Sequence, residues 1–228
     1  MTVAENLTQI QKNIKQACDK AGRNPEDITI IGVTKYVTIE RALEAVQSGI
    51  RHVGENRLEG LLEKHQNIGE QAIWHFIGTL QSRKVKDVIH MIDYIHSLDR
   101  KSLAKEINKR TDKPVDCFVQ VNVSGEESKH GLQPENIETF IDMLRNYPNI
   151  RVVGLMTMAP HLDDENVLRD IFRSLHKLKS NIQDKRWTHA PCQYLSMGMS
   201  NDYQTAIEEG ATHIRIGSSL VGPYEEQG

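Results

Sequence analysis

A chain of 228 residues, 38% hydrophobic and 26% charged, has the composition of an ordinary globular protein and fits one large domain or two small ones. Its net charge of −3, with acidic and basic residues interspersed, excludes the basic stripe of a nucleic-acid or anionic-membrane binder. Cys18, Cys117 and Cys192 are far apart and form no CxxC pair, so neither a disulfide framework nor a zinc site is expected and a reducing cytoplasm fits best.

In chain order, the first pattern is "TVAENLTQIQKNIKQACDKAG". It predicts a polar amphipathic helix over residues 3–21 and lacks the apolar core of a secretory leader. No later segment is long and apolar enough to cross a bilayer. "ITIIGVT" (residues 28–34) reads as a buried strand that runs straight into Lys35. Thr38 is placed to cap a helix carrying Ile39, Ala42, Leu43 and Val46 on one face, with Gly49 just past its end. "HVGEN", "WHFIG" and "YIHSL" follow as short β-rich runs. Asp99 is placed to cap a helix holding Leu103 and Ile107, and the basic run "DRKSLAKEINKRTDK" reads as that helix's solvated face. "VDCFVQVNV" is the fifth run. "PENIETFIDMLRN" then has Pro134 near its start and Ile137, Phe140, Ile141 and Leu144 as a buried stripe. After "RVVGLMTM", the segment "HLDDE" reads as the acidic start of a helix rather than a metal loop. "QYLSMGM" is the seventh run, Asp202 is placed to cap "YQTAIEEG", which closes on Gly210, and "THIRIGS" is the eighth.

Strands alternating with helices imply parallel pairing and right-handed crossovers. Eight such units predict an α/β fold, a single (β/α)8 TIM barrel over residues 1–228, with no linker to divide it. The last strand has little chain behind it for a helix of its own, and the extra N-terminal helix is expected to cover that gap.

A barrel places its chemistry at the C-terminal ends of its strands. Those ends bring together Lys35, Glu55 and Asn56, residues 75–78, Asn122, Met156 and Thr157, residues 196–200 and residues 215–218. Loops after strands seven and eight of such barrels often hold phosphate. "SMGMSND" sets Ser200 and Asn201 ahead of a helix, and "RIGSS" sets Gly217 and Ser218 at a turn, where free amides, a bare backbone and a hydroxyl suit an anion. Tight turns alone would also account for Gly198 and Gly217, and no GxGxxG or P-loop is present. Lys35 has two readings as well. Desolvation beside Arg215 would lower its pKa from about 10.4 and free the amine for a Schiff base; a lysine snorkelling from a strand end needs no chemistry. A phosphate site opposite a Schiff-base lysine points to pyridoxal 5′-phosphate (PLP), an aldehyde bearing a phosphate. The ten histidines show no metal-binding spacing, so no metal site is expected and each reads as a core or surface residue.

"GVTKY", "HVGENRLEG", "WHFIGTLQSRKVK", "HSLD", "VQVNVSGEESKHG", "GLMTMAP" and "LSMGMSNDYQTAIEEGATHIRIGSSLVG" together resemble the pyridoxal phosphate homeostasis protein family across nearly the whole chain. The resemblance implies a single barrel like the N-terminal domain of alanine racemase, with PLP as cofactor. It implies that Lys35 forms the Schiff base and Asn56 sits near the ring. Ser200, Gly217 and Ser218 would hold the phosphate, Arg215 would lie by the pyridine nitrogen, and His75 and Met197 would line the pocket. Lys129 of "SKHG" matches a second lysine of the family, while His130 stands where the family often has a small residue. An arginine at the pyridine nitrogen disfavours its protonation and weakens the ring as an electron sink.

The expected function is therefore a cytoplasmic PLP carrier rather than an enzyme. It would buffer the cofactor and pass it to PLP-dependent apo-enzymes, as a monomer or weak homodimer with no nucleic-acid or membrane partner. The alternatives are a PLP-dependent amino-acid racemase and a cofactor-free Schiff-base aldolase. A two-base racemase needs an acid/base on each ring face. Nothing assigns Tyr36, Tyr203 or Tyr224 to the second face, and the sequence read to residue 228 shows no β-domain to supply one.

Overall fold

Eight parallel strands, paired in sequence order, close into a barrel: β1 (Thr29–Val33), β2 (His52–Glu55), β3 (Ile73–Phe76), β4 (Tyr94–Leu98), β5 (Val115–Gln120), β6 (Ile150–Met156), β7 (Tyr194–Met199) and β8 (His213–Ile216). The computed structural model describes residues 2–126, 130–160 and 164–222. The seam is made by β1 and β8, with Thr29 opposite His213 and Gly32 opposite Ile216. Around the barrel run α1 (Val3–Ala21), α2 (Ile39–Gln47), α3 (Leu58–Ile68), α4 (Val85–Val88), α5 (Lys101–Arg110), α6 (Ile137–Met143), α7 (Glu165–Gln183), α8 (Tyr203–Glu208) and α9 (Ser218–Val221). All eight expected runs are strands, and the fold is the expected (β/α)8 barrel. No helix among the described residues is long and apolar enough to cross a membrane.

Side-chain alternation divides each strand between two environments. Outward residues such as Val53, Trp74, Cys117, Leu155 and Ile214 meet the apolar stripes of the helices, Leu61, Leu103, Ile107, Phe172 and Leu175 among them, in one continuous core layer. Each fully buried Leu or Ile there contributes roughly 1.5–3 kcal/mol of burial. The inward residues are less usual. Where such barrels commonly stack Val, Ile and Leu, this lumen holds His75, His96, His213, Tyr94 and Phe118, whose rings touch between neighbouring strands and, through His213, across the barrel.

α1 does fill the gap beside α9, which spans only four residues. It packs on α8, α9 and α2. Asn6 Nδ2 donates to Leu220 O at 2.8 Å, Asn13 Nδ2 to the Tyr203 hydroxyl at 2.9 Å, and a capping box of Thr2 and Glu5 starts the helix. Thr38 caps α2 as expected, accepting from the Arg41 amide at 3.2 Å. Two other expected caps fail because a nearer partner takes the carboxylate. The Arg100 guanidinium holds Asp99 at 2.6 Å, and α5 starts from Arg100 without a side-chain cap. Asp202 turns back to the Met199 amide at 2.5 Å instead of capping α8. β5 ends at Gln120, short of the expected Val123, because the Asn122 amide and Gln120 carbonyl pair with Leu132 instead.

Candidate functional site

A cavity of about 540 Å³ opens at the C-terminal ends of the strands. Lys35, Asn56, Ser200, Arg215, Gly217 and Ser218 line it, six of the eight residues expected there. Gln120, Gly78 and Thr79 complete much of its wall.

Lys35 follows β1 in a turn that is held from beneath. The Thr34 hydroxyl donates to Glu55 Oε1 at 2.6 Å, and Lys64 Nζ from α3 approaches the same oxygen at 2.9 Å. Glu55 is 1% and Lys64 5% exposed, so this is a buried, fully paired charge. The turn itself carries strain, since Tyr36 has φ +65°, a left-handed conformation rare for an aromatic residue. The exposed Tyr36 ring has Lys35 Nζ at 5.6 Å and the Arg57 guanidinium carbon at 5.1 Å from its centroid.

Asn56 ends β2 against the end of β3. A Cβ on Gly78 would fall 2.4 Å from the Asn56 carbonyl oxygen, so only glycine allows the two turns to approach this closely. Ser200 and Asn201 occupy a turn closed by reciprocal Met199–Asp202 bonds, the Asp202 amide to Met199 O at 3.1 Å and the Met199 amide to Asp202 Oδ1. Gly198 beneath it is structural: its φ is +94° and a Cβ would meet Ala206 at 2.7 Å. Gly217 differs. A Cβ there would meet nothing nearer than Val33 at 3.7 Å, and both residues line the cavity, so its bareness leaves room for an occupant rather than for protein. Ser218 begins α9, where the first amides have no intrahelical partner.

Arg215 on β8 is 4% exposed. Its Nη1 donates to Ser196 Oγ at 2.6 Å and its Nη2 to the Thr157 carbonyl at 2.9 Å. Burial pushes its pKa down to about 10, opposed by Asp202, so the guanidinium is charged at neutral pH. Among the described residues no carboxylate forms a salt bridge with Arg215 or Lys35, and the cavity wall sets these two cations against the single carboxylate of Asp202, a balance that favours an anion. The donor set fits an aldehyde phosphate: a primary amine, a guanidinium, serine hydroxyls and a bare glycine on one void of adequate size.

His75 and Met197 do not line the cavity. His75 is 0% exposed and lies in the lumen below it, stacked on Tyr94 at 4.5 Å. It hydrogen-bonds His52 at 2.8 Å and His96 at 2.9 Å, and burial holds its pKa well below the usual imidazole value. Met197 belongs to the apolar layer under the helices, because its neighbour Ser196 takes the lumen side. Lys129 and Tyr224 lie outside the described residues, as does the start of "HLDDE". The histidines were legible only as core or surface residues; that His52, His75 and His96 form one line in the lumen was not, since 21 or more residues separate each from the next. Among the described residues no group of three or more His, Cys, Asp or Glu side chains is arranged to hold a metal ion.

The chain matches the family model of the alanine racemase N-terminal domain over residues 6–225. It is 41% identical over 226 residues to the pyridoxal phosphate homeostasis protein of Aquifex aeolicus (strain VF5), covering 97% of this chain and 98% of that one. Among solved structures it resembles PipY of Synechococcus elongatus PCC7942 with PLP bound, at a TM-score of 0.82 and 26% identity over 96% of this chain and 100% of PipY. The alanine racemase of Corynebacterium glutamicum shares the fold at a TM-score of 0.71 and 13% identity, over 99% of this chain and 61% of the racemase.

Proposed function

Since the chain belongs to the pyridoxal phosphate homeostasis protein family, we propose that it is one PLP-binding barrel domain that holds, buffers and delivers the cofactor, with the Lys35 amine as the covalent anchor. The observation that carries this reading is the convergence of Lys35 and the buried Arg215 on one cavity whose remaining wall offers Ser200, Gly217 and Ser218. When bound, PLP supplies an aldehyde that an amine captures reversibly. Ser200, Gly217 and Ser218 hold the phosphate end, Arg215 faces the ring nitrogen, and Asn56 flanks the ring. His75 and Met197 act from behind the wall.

A carrier role is favoured over a racemase by two features. A permanently charged Arg215 disfavours protonation of the ring nitrogen, so the ring is a weak electron sink. No tyrosine lines the cavity among the described residues, so the wall shows no phenol for the second face. Tyr203, more buried than Tyr36, accepts with its hydroxyl from Asn13 Nδ2 instead. The carrier works in the cytoplasm as a monomer or weak homodimer, and its recipients are PLP-dependent apo-enzymes.

The test is the visible spectrum of the purified protein beside Lys35→Ala, before and after borohydride, followed by peptide mapping. A band that borohydride bleaches, with the label on Lys35 and neither in the variant, is expected. A wild type that stays colourless with added PLP overturns the reading and leaves the aldolase. Amino-acid racemisation at enzymatic rates overturns the carrier assignment alone.

A further inference from the structure

A continuous line of hydrogen bonds crosses the lumen from the cavity wall toward the N-terminal end of the barrel. Arg215 Nη1 meets Ser196 Oγ at 2.6 Å, Ser196 Oγ meets His96 Nδ1 at 2.9 Å, His96 Nε2 meets His75 Nδ1 at 2.9 Å, and His75 Nε2 meets His52 Nδ1 at 2.8 Å. Four strands, β8, β7, β4 and β3, pass it on to β2, and Ser196, His96 and His75 are all buried.

The chemistry of the groups fixes its direction. Arg215 has only donors, so Ser196 Oγ accepts from it. The single serine proton then goes to His96 Nδ1, which must be bare. His96 carries its proton on Nε2 and donates to His75 Nδ1, and His75 donates from Nε2 to His52 Nδ1. The reverse order would leave Ser196 Oγ accepting twice and its buried proton without a partner, at a cost of about 1–3 kcal/mol. The line is thus three neutral imidazoles of one tautomer, polarised in one sense, which strengthens each bond in turn. Burial in the lumen and the neighbouring Arg215 both oppose a second proton on His96.

This deeply buried guanidinium makes no salt bridge among the described residues; the Thr157 carbonyl holds it through Nη2 and the line holds it through Nη1. We infer that Ser196, His96, His75 and His52 are positioning residues for Arg215: the line acts as one acceptor chain that fixes the guanidinium with its free N–H groups toward the cavity. This rests on the reading that Arg215 faces the ring nitrogen of PLP. The line, not the cavity wall alone, then sets how tightly the ring nitrogen is recognised.

The first measurement is made on the ligand-free protein. Long-range 15N–1H correlation spectra should show His52, His75 and His96 neutral with the proton on Nε2, and the Arg215 side-chain N–H signals should be slow to exchange. His75→Phe keeps the ring volume on Tyr94 but cuts the line, and Ser196→Ala removes its link to the arginine. Both should speed Arg215 N–H exchange at least tenfold. In the PLP-loaded protein both should weaken retention about tenfold or more and shift the pH profile of the visible band, with the Lys35 label intact. A proton on Nδ1 of His96, or Arg215 exchange unchanged in His75→Phe, overturns the inference. So does a coloured wild type whose variants keep its retention and pH profile. A colourless wild type defeats the PLP reading instead, while the exchange and tautomer results still decide the positioning role. If Ser196→Ala does not fold, His75→Phe and the wild-type spectra carry the test.

Discussion

At the mouth of the barrel, Lys35 and Arg215 face a void of about 540 Å³ with no salt bridge to either among the described residues. Behind it, between β2 and α3, Glu55 is shared by Thr34 and Lys64, and in the lumen the histidines are closed into one another. Both regions are polar and both are enclosed by the same strands. What separates them is where the hydrogen-bonding capacity is met. In the lumen it is met internally; among the described residues only Ser97 Oγ is a buried side-chain atom with no partner. At the mouth, Arg215 keeps N–H groups beyond the two that Ser196 and Thr157 accept, and Lys35 Nζ makes no hydrogen bond among the described residues. The two lysines make the contrast in one residue type. Lys64 is buried 2.9 Å from a carboxylate and belongs to the fold, whereas Lys35 is partly exposed, set in a strained turn, and lines the cavity.

The largest effect should come from exchanging those lysines in turn. Lys64→Met strands the buried Glu55 carboxylate and should cost about 3 kcal/mol or more, read from urea unfolding. Lys35→Ala should change stability by no more than about 0.5 kcal/mol while abolishing the borohydride label. Equal stability losses would erase the distinction between the two regions.

Acid should sharpen the contrast next. His75, His96 and His213 are all held below the ordinary imidazole pKa by burial, with His213 pushed to about 3 and opposed further by His52 and Arg215. His52 is lowered less, because Asp93 works against its burial and Arg51. Between the folded and unfolded values such a histidine is neutral in the fold and charged in the unfolded chain. The unfolded state then binds more protons, so stability rises with pH through that window. It is complete above about pH 6.5 and is lost as the pH falls toward the folded values, at up to about 1.4 kcal/mol per pH unit for each histidine. His213→Asn should flatten the curve between pH 6.5 and 4.5 by about one histidine's slope. A flat wild-type curve there would mean that the imidazoles are not closed off.

The smallest effect belongs to the helix behind the lysine turn. Thr38→Ala removes the α2 cap and should cost about 1 kcal/mol in urea unfolding with the Lys35 label unchanged. A lost label would show that the cap serves the site and not only the helix.

The barrel itself was legible because each strand is a short β-rich run and each long helix has an apolar stripe. Thr38 was legible because its hydroxyl can serve Glu40 and still accept from the Arg41 amide, so nothing takes the cap away. Asp99 and Asp202 were misread because a cap is a competition, and the adjacent Arg100 guanidinium and the Met199 amide won it. Lys35, Ser200 and Arg215 were legible as strand ends. His75 sits in the right strand but one layer too deep, and Met197 lies next to a register shift between Ser196 and Met199, so strand-end position alone could not assign their faces. The histidine line has no local signature at all: His96 and Ser196 are 100 residues apart.

The seam between β1 and β8 has a consequence in time. Asn6 and Leu220, which tie α1 across it, are separated by 214 residues, so this contact carries a high loop-closure cost and cannot form early. A chain emerging from the ribosome would hold β1 with one edge unpaired until β8 had been made, a period in which that edge is open to wrong partners. Lys35 follows β1 and Arg215 sits on β8, so the two cations that line the cavity among the described residues come from opposite sides of the join. The pocket comes into being only on closure, and loading with a ligand that needs both cations has to follow synthesis rather than accompany it.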